Sequence, residues 1–217
     1  MADDSIEGHA MSYEGTSHSL PRAKVLTPTE ASRILAAAKE KDARDYVFLS
    51  VAFNVGLRLC EIVHIRKSDL IDGQLQVTRR KKRHLKPEMI DVGDQLWSLL
   101  SEWGQMFEGS DWIFPGEAEP CIIQHTKREP EQVCEGGHIS KRNLQRRWEL
   151  YLVGLGIKLP GRGIHTTRHY AITAFYNKHR DIVAAKDFAG HSSVAITQTY
   201  AHTVEMREKV KAMEELI

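Results

Sequence analysis

Hydrophobic residues along the chain recur mostly at the three- and four-residue spacing of amphipathic helices. The first such stretch is LTPTEASRILAAAKEKD, residues 26–42. Thr27 is expected to cap this helix, with Pro28 in the first helical position and Glu30 completing a capping box. Its predicted buried face consists of Ile34, Leu35 and Ala38.

Three further helices are predicted before residue 110. DYVFLSVAFNVG, residues 45–56, is apolar nearly all round, which favours a central helix that ends at Gly56. LRLCEIVHI, residues 57–65, predicts a short helix, and QLWSLLSEWGQ, residues 95–105, predicts a longer one.

Between these helices the pattern changes to the two-residue alternation of strands. The DG dipeptide at 72–73 is a strong hairpin signal, and Leu75 and Val77 alternate with polar residues after it. EMIDV, residues 88–92, predicts a third strand. The basic stretch RRKKRHLK, residues 79–86, would then form the last loop of a small antiparallel sheet.

The second half of the chain again reads as helices, after a loop at 111–138 that contains Pro and Gly. Ser140 is expected to cap a helix over KRNLQRRWELYLVG, whose predicted apolar face is Leu144, Trp148 and Leu152. The remaining predicted helices cover residues 166–179, 181–190, 192–202 and 204–217, and Ser192 is expected to cap the third of them. The sequence therefore predicts an α+β fold, mostly helical with a small antiparallel β-sheet.

Composition limits the protein to a few classes. A chain of 217 residues with 41% hydrophobic content suits one globular domain, with or without a tail. Residues 1–24 are polar and lack a period, which predicts a flexible N-terminal arm. No apolar run reaches the ~18 residues of a membrane span, so no membrane partner is expected. Three cysteines make no disulfide framework, and the cytoplasm is the expected compartment.

The formal net charge is only +1, but its distribution is uneven. The first 20 residues contain four acidic residues and no Lys or Arg, so the rest of the chain is more basic. Positive charge is concentrated in residues 79–86 and in KRNLQRR, residues 141–147. Either run alone is more often a solvated face than a binding site.

Several polar residues stand in otherwise apolar segments. They are Arg58, Lys81, His165, Arg168, His191 and Tyr200. Each has a simpler reading on its own: Arg58 can pair with Glu61, His165 can cap a helix, and His191 can serve a turn. Together they suit a phosphodiester, because guanidinium groups bind two phosphate oxygens, Tyr can act as a nucleophile, and Lys or His can protonate a leaving oxygen.

These residues resemble the tyrosine recombinases, or phage integrase family, over about residues 25–203. The landmarks are GLRLCEIVHI, IHTTRHYAITAFY, FAGHSSVAITQTYAH, the opening LTPTEASRILAAA and a hairpin lysine. The resemblance implies the catalytic-domain fold of that family. It implies that Arg58 and Arg168 are the catalytic arginines, His165 and His191 the catalytic histidines, and Tyr200 the nucleophile. Glu61 would be a structural acid.

Two departures from the family pattern affect the assignments. Thr167 stands where Leu usually precedes the second arginine, and the hairpin lacks its usual Gly. Counted from Val77, Lys81 is the general-acid candidate, with Lys82 next and Lys86 third. The expected DNA-binding residues are Arg79, Arg80, Lys82, Arg83, Lys141, Arg142 and Arg146.

The resemblance implies site-specific recombination of double-stranded DNA by integration, excision or inversion, with a 3′-phosphotyrosyl intermediate and no cofactor or required metal. His165 would accept or relay the tyrosine proton, and Lys81 would protonate the departing 5′-oxygen. Two alternatives stay open: DNA relaxation like that of type IB topoisomerases, and a DNA-binding regulator with a residual recombinase fold.

The ends of the chain raise separate expectations. Family members usually carry a further helical DNA-clamping domain of roughly a hundred residues. The sequence is therefore either a piece of a longer protein or similar to single-domain members such as the fimbrial-switch inversion recombinases. Residues 204–217 carry an apolar stripe of Met206, Val210, Met213 and Ile217. This helix either folds onto its own core or docks on a neighbour, and the resemblance implies a self-tetramer on paired DNA sites.

The loop at 111–138 holds a second pattern. Cys121, His125, Cys134 and His138 have ligand types and spacing that a tetrahedral zinc site can use. The alternative is an ordinary polar loop with two free thiols. The family pattern does not require this metal.

Overall fold

The computed structural model describes residues 25–79, 87–119, 121–123, 132–134 and 136–214. It leaves undescribed the side chains of 121–123, 132–134 and 206–214. The predicted arm at 1–24 lies outside the described residues, as do Arg80, Lys81, Lys82, Arg83, Lys86, His125 and Ile217.

Helices dominate this part of the chain. They are α1 (Pro28–Lys41), α2 (Ala43–Asn54), α3 (Leu59–Ile62), α4 (Asp94–Gln105), α5 (Lys141–Gly154), α6 (His165–His179), α7 (Ile182–Ala189) and α8 (Val194–Glu214). The strands are β1 (Leu70–Ile71), β2 (Gln74–Thr78), β3 (Pro87–Asp91), β4 (Cys121–Ile123) and β5 (Gln132–Cys134). Among these residues no helix is long and apolar enough to cross a membrane.

Local capping chemistry explains where several helices begin. The backbone N–H of Glu30 donates to the Thr27 hydroxyl, and the Thr27 N–H donates to the Glu30 carboxylate at 2.8 Å. Ser140 accepts from the Asn143 N–H at 3.1 Å and begins α5. The N-caps predicted at Thr27 and Ser140 are confirmed.

The small sheet has the antiparallel order β1-β2-β3. Asp72 and Gly73 both have positive φ, 46° and 83°, which gives the turn between β1 and β2 the twist that a tight hairpin needs. β2 pairs with β3 from Gln74 opposite Asp91 to Thr78 opposite Pro87. The predicted mostly helical α+β fold with a small antiparallel sheet is confirmed.

The main core forms around α2, whose residues 47–53 are all buried. The face of α5 that the sequence predicted, Leu144, Trp148 and Leu152, packs into this core. Two smaller clusters join α6, α7 and α8: Tyr176 packs with Ala185, Ala201 and Val204, and Ile172 packs with Ala189 and Tyr200. The predicted nucleophile is therefore on a helix packed against its own chain.

Two element predictions are wrong. The segment at 111–138 is not only a loop, because β4 and β5 pair within it, with Cys121 opposite Cys134. The two helices predicted at 192–202 and 204–217 are one continuous helix, α8, since residues 202–204 contain no helix breaker. Tyr200 and the C-terminal segment consequently share one rigid element.

Candidate active site

Arg58 lies at the start of α3 and is fixed by a buried carboxylate. Its backbone N–H donates to one oxygen of Glu61 at 2.8 Å, and its guanidinium donates to the other at 3.0 Å. The Glu61 side chain is fully buried, whereas 17% of the Arg58 side chain is exposed. The pairing that the sequence spacing allows is therefore present, and it leaves part of the guanidinium open to a cleft.

Arg168 lies in the first turn of α6 and joins three segments. Its guanidinium donates to the backbone carbonyl of Gly56 and, at 2.6 Å, to that of Ala189. Burial and the neighbouring Arg58 lower the pKa of Arg168 to about 10, which still leaves it protonated at neutral pH. This buried cation sits where the approach to α3 meets the end of α7.

His191 follows the glycine that ends α7. Gly190 adopts the left-handed conformation, φ 61°, which a C-terminal glycine accepts without strain. The His191 Nδ1 lies 3.0 Å from the Thr197 hydroxyl. Burial, with the positive charges of Arg168 and Arg58, lowers the pKa of His191 to about 4. The imidazole is therefore neutral at neutral pH.

The capping residue of α8 differs from the prediction. The sequence indicated Ser192, but the backbone N–H of Ala195 donates to the hydroxyl of Ser193 at 3.2 Å. α8 begins at Val194, two residues after the predicted start, and residues 190–193 form the connection from α7. His191 therefore lies just before the helix start.

Tyr200 lies on α8 with only 5% of its surface exposed. Its hydroxyl is 2.8 Å from Nδ1 of His169, and its ring stacks on that of His191 with 6.0 Å between centroids. Burial raises the pKa of Tyr200, and the guanidinium groups of Arg168 and Arg58 act in the opposite direction. The phenol is thus within the field of both predicted catalytic arginines.

His169 is the residue that sequence reasoning missed. His165 was predicted to accept or relay the tyrosine proton, but the hydroxyl of Tyr200 lies within hydrogen-bond distance of His169. The sequence pairs His165 with Arg168, because residues three apart share a helix face. His169 directly follows Arg168, and adjacent residues do not face each other on a helix. The available signal was the one-turn spacing from His165 to His169, which places both imidazoles on one side of α6.

An open cleft of about 690 Å³ is lined by Arg58, Arg168 and His169, whereas His191 and Tyr200 do not line it. Its lining residues are Arg58, Leu59, Cys60, Lys141, Arg142, Gln145, His165, Arg168 and His169. Lys141 and Arg142 are exposed at the start of α5, so the rim adds positive charge to the interior. Arg146 is exposed on the same helix but does not line this cleft.

Arg79 was predicted to bind DNA, but its side chain is buried. Only 1% of it is exposed. Its guanidinium donates to the Glu88 carboxylate at 3.2 Å and to the Phe188 carbonyl at 3.0 Å, and it lies 3.5 Å from Glu61. A Cβ on Gly190 would lie 2.7 Å from Arg79 Nε. Arg79 is an internal brace between the hairpin, α3 and α7, because it is too deeply buried to reach a DNA backbone.

Replacing Arg79 with Gln is expected to lower stability by about 3 kcal/mol, as removal of one partner from a buried ion pair does. Chemical denaturation measures the loss, with the exposed Arg142→Gln as the matched control. Unchanged stability together with a flatter salt dependence of DNA binding would restore the original DNA-binding assignment.

The structure describes parts of the possible zinc site. Cys121 and Cys134 are opposite each other in β4 and β5. His138 is buried, with Nδ1 2.8 Å from the Ile139 carbonyl and its ring 4.3 Å from that of His64. Within the described part of the chain no group of three or more ligand side chains could hold a metal. The four-ligand zinc site stays a prediction.

The chain is similar to known recombinases in sequence. The model of the phage integrase family matches residues 24–207. The chain is 25% identical over 198 residues to a tyrosine recombinase of Pseudothermotoga lettingae, covering 88% of this chain and 60% of that protein. It is 27% identical over 161 residues to tyrosine recombinase XerC of Proteus mirabilis, covering 73% of this chain and 47% of that protein. The chain thus spans about half to two thirds of these relatives.

Solved structures share the fold. The XerA recombinase has a TM-score of 0.67 at 22% identity, covering 91% of this chain and 65% of that one. A lambda integrase tetramer bound to a Holliday junction has a TM-score of 0.59 at 19% identity, covering 81% and 47%. Since the family model covers most of its length and the fold agrees, this chain belongs to the phage integrase family.

Proposed function

We propose that this chain is the catalytic part of a tyrosine site-specific recombinase that cleaves and rejoins double-stranded DNA through a 3′-phosphotyrosyl link. The observation that carries the proposal is the position of the Tyr200 hydroxyl, within the electrostatic reach of Arg58 and Arg168. Family membership and the DNA-bound state of structural neighbours such as XerH on difH support the same conclusion.

The charge balance favours a phosphate in the cleft. Arg58 and Arg79 pair with Glu61, Arg79 also pairs with Glu88, and Arg168 interacts electrostatically with Arg58 and Glu61. Three positive charges therefore stand against two negative ones. Arg58 keeps an exposed portion, and Arg168 is held by two carbonyl groups. Preorganised donors of this kind stabilise the charge that develops on a phosphate in the transition state, which is the part a metal ion plays elsewhere.

His191 supplies a neutral hydrogen bond. If its Nδ1 accepts the Thr197 hydroxyl proton, Nε2 carries the remaining ring proton. Because its pKa is lowered to about 4, the imidazole is neutral and donates a hydrogen bond through that N–H without adding a positive charge. We assign His191 to a phosphate oxygen.

The departing 5′-oxygen needs a proton donor. Lys81 is assigned this role on family resemblance, with Lys82 as the alternative; both lie outside the described residues. Arg79, which directly precedes this run in the sequence, lies 3.5 Å from Glu61. Energy is conserved in the covalent link, so strand exchange needs no nucleotide cofactor.

The family comparison also supports a proposal about assembly on DNA. We propose a tetramer on two paired sites, as the lambda integrase tetramer on a Holliday junction exemplifies for its own chain. α8 supports a link between assembly and cleavage, because it carries Tyr200 and continues without interruption to Glu214. A neighbour that holds the C-terminal part of α8 would thereby influence the nucleophile.

The exposed start of α5 is proposed as a phosphate-backbone contact, on Lys141, Arg142 and Arg146. Arg142→Ala is expected to weaken DNA binding similarly for all sequences and to reduce the salt slope by about 1. Binding titrations at several salt concentrations measure both quantities. Lys178→Ala is the matched control, since Lys178 is exposed in the last turn of α6, at the other end of that helix from His165 and Arg168. Equal effects of the two variants would contradict a contact at Arg142.

A pool of nicked duplexes with randomised sequence tests the proposed activity without knowledge of the target. Cleavage beside a nick releases a short strand that carries the 5′-hydroxyl. The protein stays linked to the DNA, because the strand needed for rejoining is gone. We expect DNA-linked protein that survives denaturant and sequences that enrich over repeated rounds. Protein that binds the pool but never becomes linked to DNA would contradict the proposed chemistry.

A further inference from the structure

The hydroxyl of Tyr200 has a specific partner. His169 Nδ1 lies 2.8 Å from it, and the two ring centroids are 5.6 Å apart with a 33° tilt. His169 belongs to α6 and Tyr200 to α8, so the contact crosses the interface of two packed helices. The resemblance to recombinases assigned the tyrosine proton to His165 instead.

Attack on a phosphate requires the phenol to lose its proton. Burial raises the pKa of Tyr200 above the ordinary tyrosine value of about 10. The guanidinium groups of Arg168 and Arg58 stabilise the phenolate once it forms, but they do not accept protons. A base within hydrogen-bond distance is therefore needed at neutral pH.

We propose that His169 is the proton acceptor for Tyr200, a role that rests on the proposed recombinase function. The O–H bond of Tyr200 breaks and its proton moves to Nδ1 of His169, while the phenolic oxygen bonds to phosphorus. The bond from phosphorus to the 5′-oxygen breaks, and a general acid protonates that oxygen. On rejoining, the 5′-hydroxyl gives its proton back to that general acid as its oxygen bonds to phosphorus. The bond from phosphorus to the phenolic oxygen breaks, and His169 returns its proton to that oxygen.

The two histidines of α6, His165 and His169, have different surroundings. His169 contacts the nucleophile, whereas His165 lines the cleft. The charged and titratable groups described around His169 include Arg58 at the start of α3, Lys141 and Arg142 from α5, His165 and Arg168 from α6, His191 before α8 and Tyr200 on α8. His169 and His191 influence each other electrostatically.

His169→Asn distinguishes a base from a residue that only positions the ring. Asn places an acceptor oxygen near the position of Nδ1 but is not basic. At neutral pH we expect single-turnover cleavage of an enriched nicked duplex to fall about 10²-fold, with DNA binding unchanged. The loss should shrink as the pH rises beyond about 10, because a growing fraction of the phenol then ionises without a base. His202→Asn, an exposed histidine on α8, is the control.

Two results would overturn the role of His169: a normal cleavage rate, or the same loss at every pH. A measurement without DNA separates this role from the recombinase function. The ring-nitrogen NMR signals of His169 should shift when Tyr200→Phe removes the hydroxyl. Unchanged signals would exclude the hydrogen bond, even if the protein cleaves DNA. Shifted signals in a protein that never traps DNA would contradict recombination while keeping the contact.

Discussion

Replacing Tyr200 with Phe is expected to abolish the covalent capture of DNA while leaving DNA binding nearly unchanged. The variant removes the nucleophilic oxygen and keeps the aromatic ring, which packs with Ile172 and Ala189. The lost hydrogen bond to His169 costs only about 1 kcal/mol of stability. Denaturing electrophoresis of the protein with an enriched nicked duplex measures capture, and a binding titration measures affinity.

Tyr176→Phe provides the matched control for this loss. Tyr176 is another buried tyrosine at the α6–α8 interface, and its hydroxyl makes a long contact of 3.5 Å with Glu205. Its removal should leave the rate of capture close to that of the unaltered protein. Capture by Tyr200→Phe at a comparable rate would show that another residue attacks the phosphate.

Arg168→Lys is expected to lower the cleavage rate by about 10²- to 10³-fold, the usual effect of losing one preorganised donor in a charged transition state. The guanidinium donates to the carbonyl groups of both Gly56 and Ala189. A lysine ammonium is a single point on a flexible stem, so it lacks the planar geometry that holds both bonds and faces a phosphate. Charge alone is therefore insufficient at this position.

Two measurements accompany the Arg168→Lys cleavage rate. A thermal melt should show a lower midpoint, since one buried carbonyl group loses its donor. Arg142→Lys, which also keeps the charge but lies exposed at the cleft rim, should cleave at a nearly normal rate. If the cleavage rate of folded Arg168→Lys fell by less than tenfold, the planar guanidinium would not be required at this position.

Local sequence signals predicted most elements of the fold. The capping box at Thr27, the cap at Ser140 and the turn at 72–73 depend on residues only a few positions apart, so they can be recognised without a structure. The burial of α2 followed from its apolar composition on all sides. Such features need no knowledge of tertiary packing.

The remaining features depend on contacts between distant residues. Arg79 belongs to a basic run that reads as solvated, and only the arrangement of Glu61, Glu88 and the Phe188 carbonyl explains its burial. His169 gains its importance from a residue 31 positions away. The β4–β5 hairpin arises from short strands separated by polar residues, which give little periodic signal.

The candidate site was predictable in composition more than in geometry. The resemblance selected Arg58, Arg168, His191 and Tyr200, and the structure places these side chains in one interacting group. Their catalytic roles stay predictions, as does that of Lys81. The partner of the Tyr200 hydroxyl could not be derived from sequence, because it depends on how α8 docks on α6.

Peptide mapping of the covalent DNA adduct identifies the nucleophile. The trapped protein is digested with nuclease and protease, and mass spectrometry locates the residual nucleotide. We expect one modified peptide that contains Tyr200, joined through its phenolic oxygen to a 3′-phosphate. A nucleotide on any other residue, or a link to a 5′-phosphate, would show that the proposed cleavage chemistry is wrong.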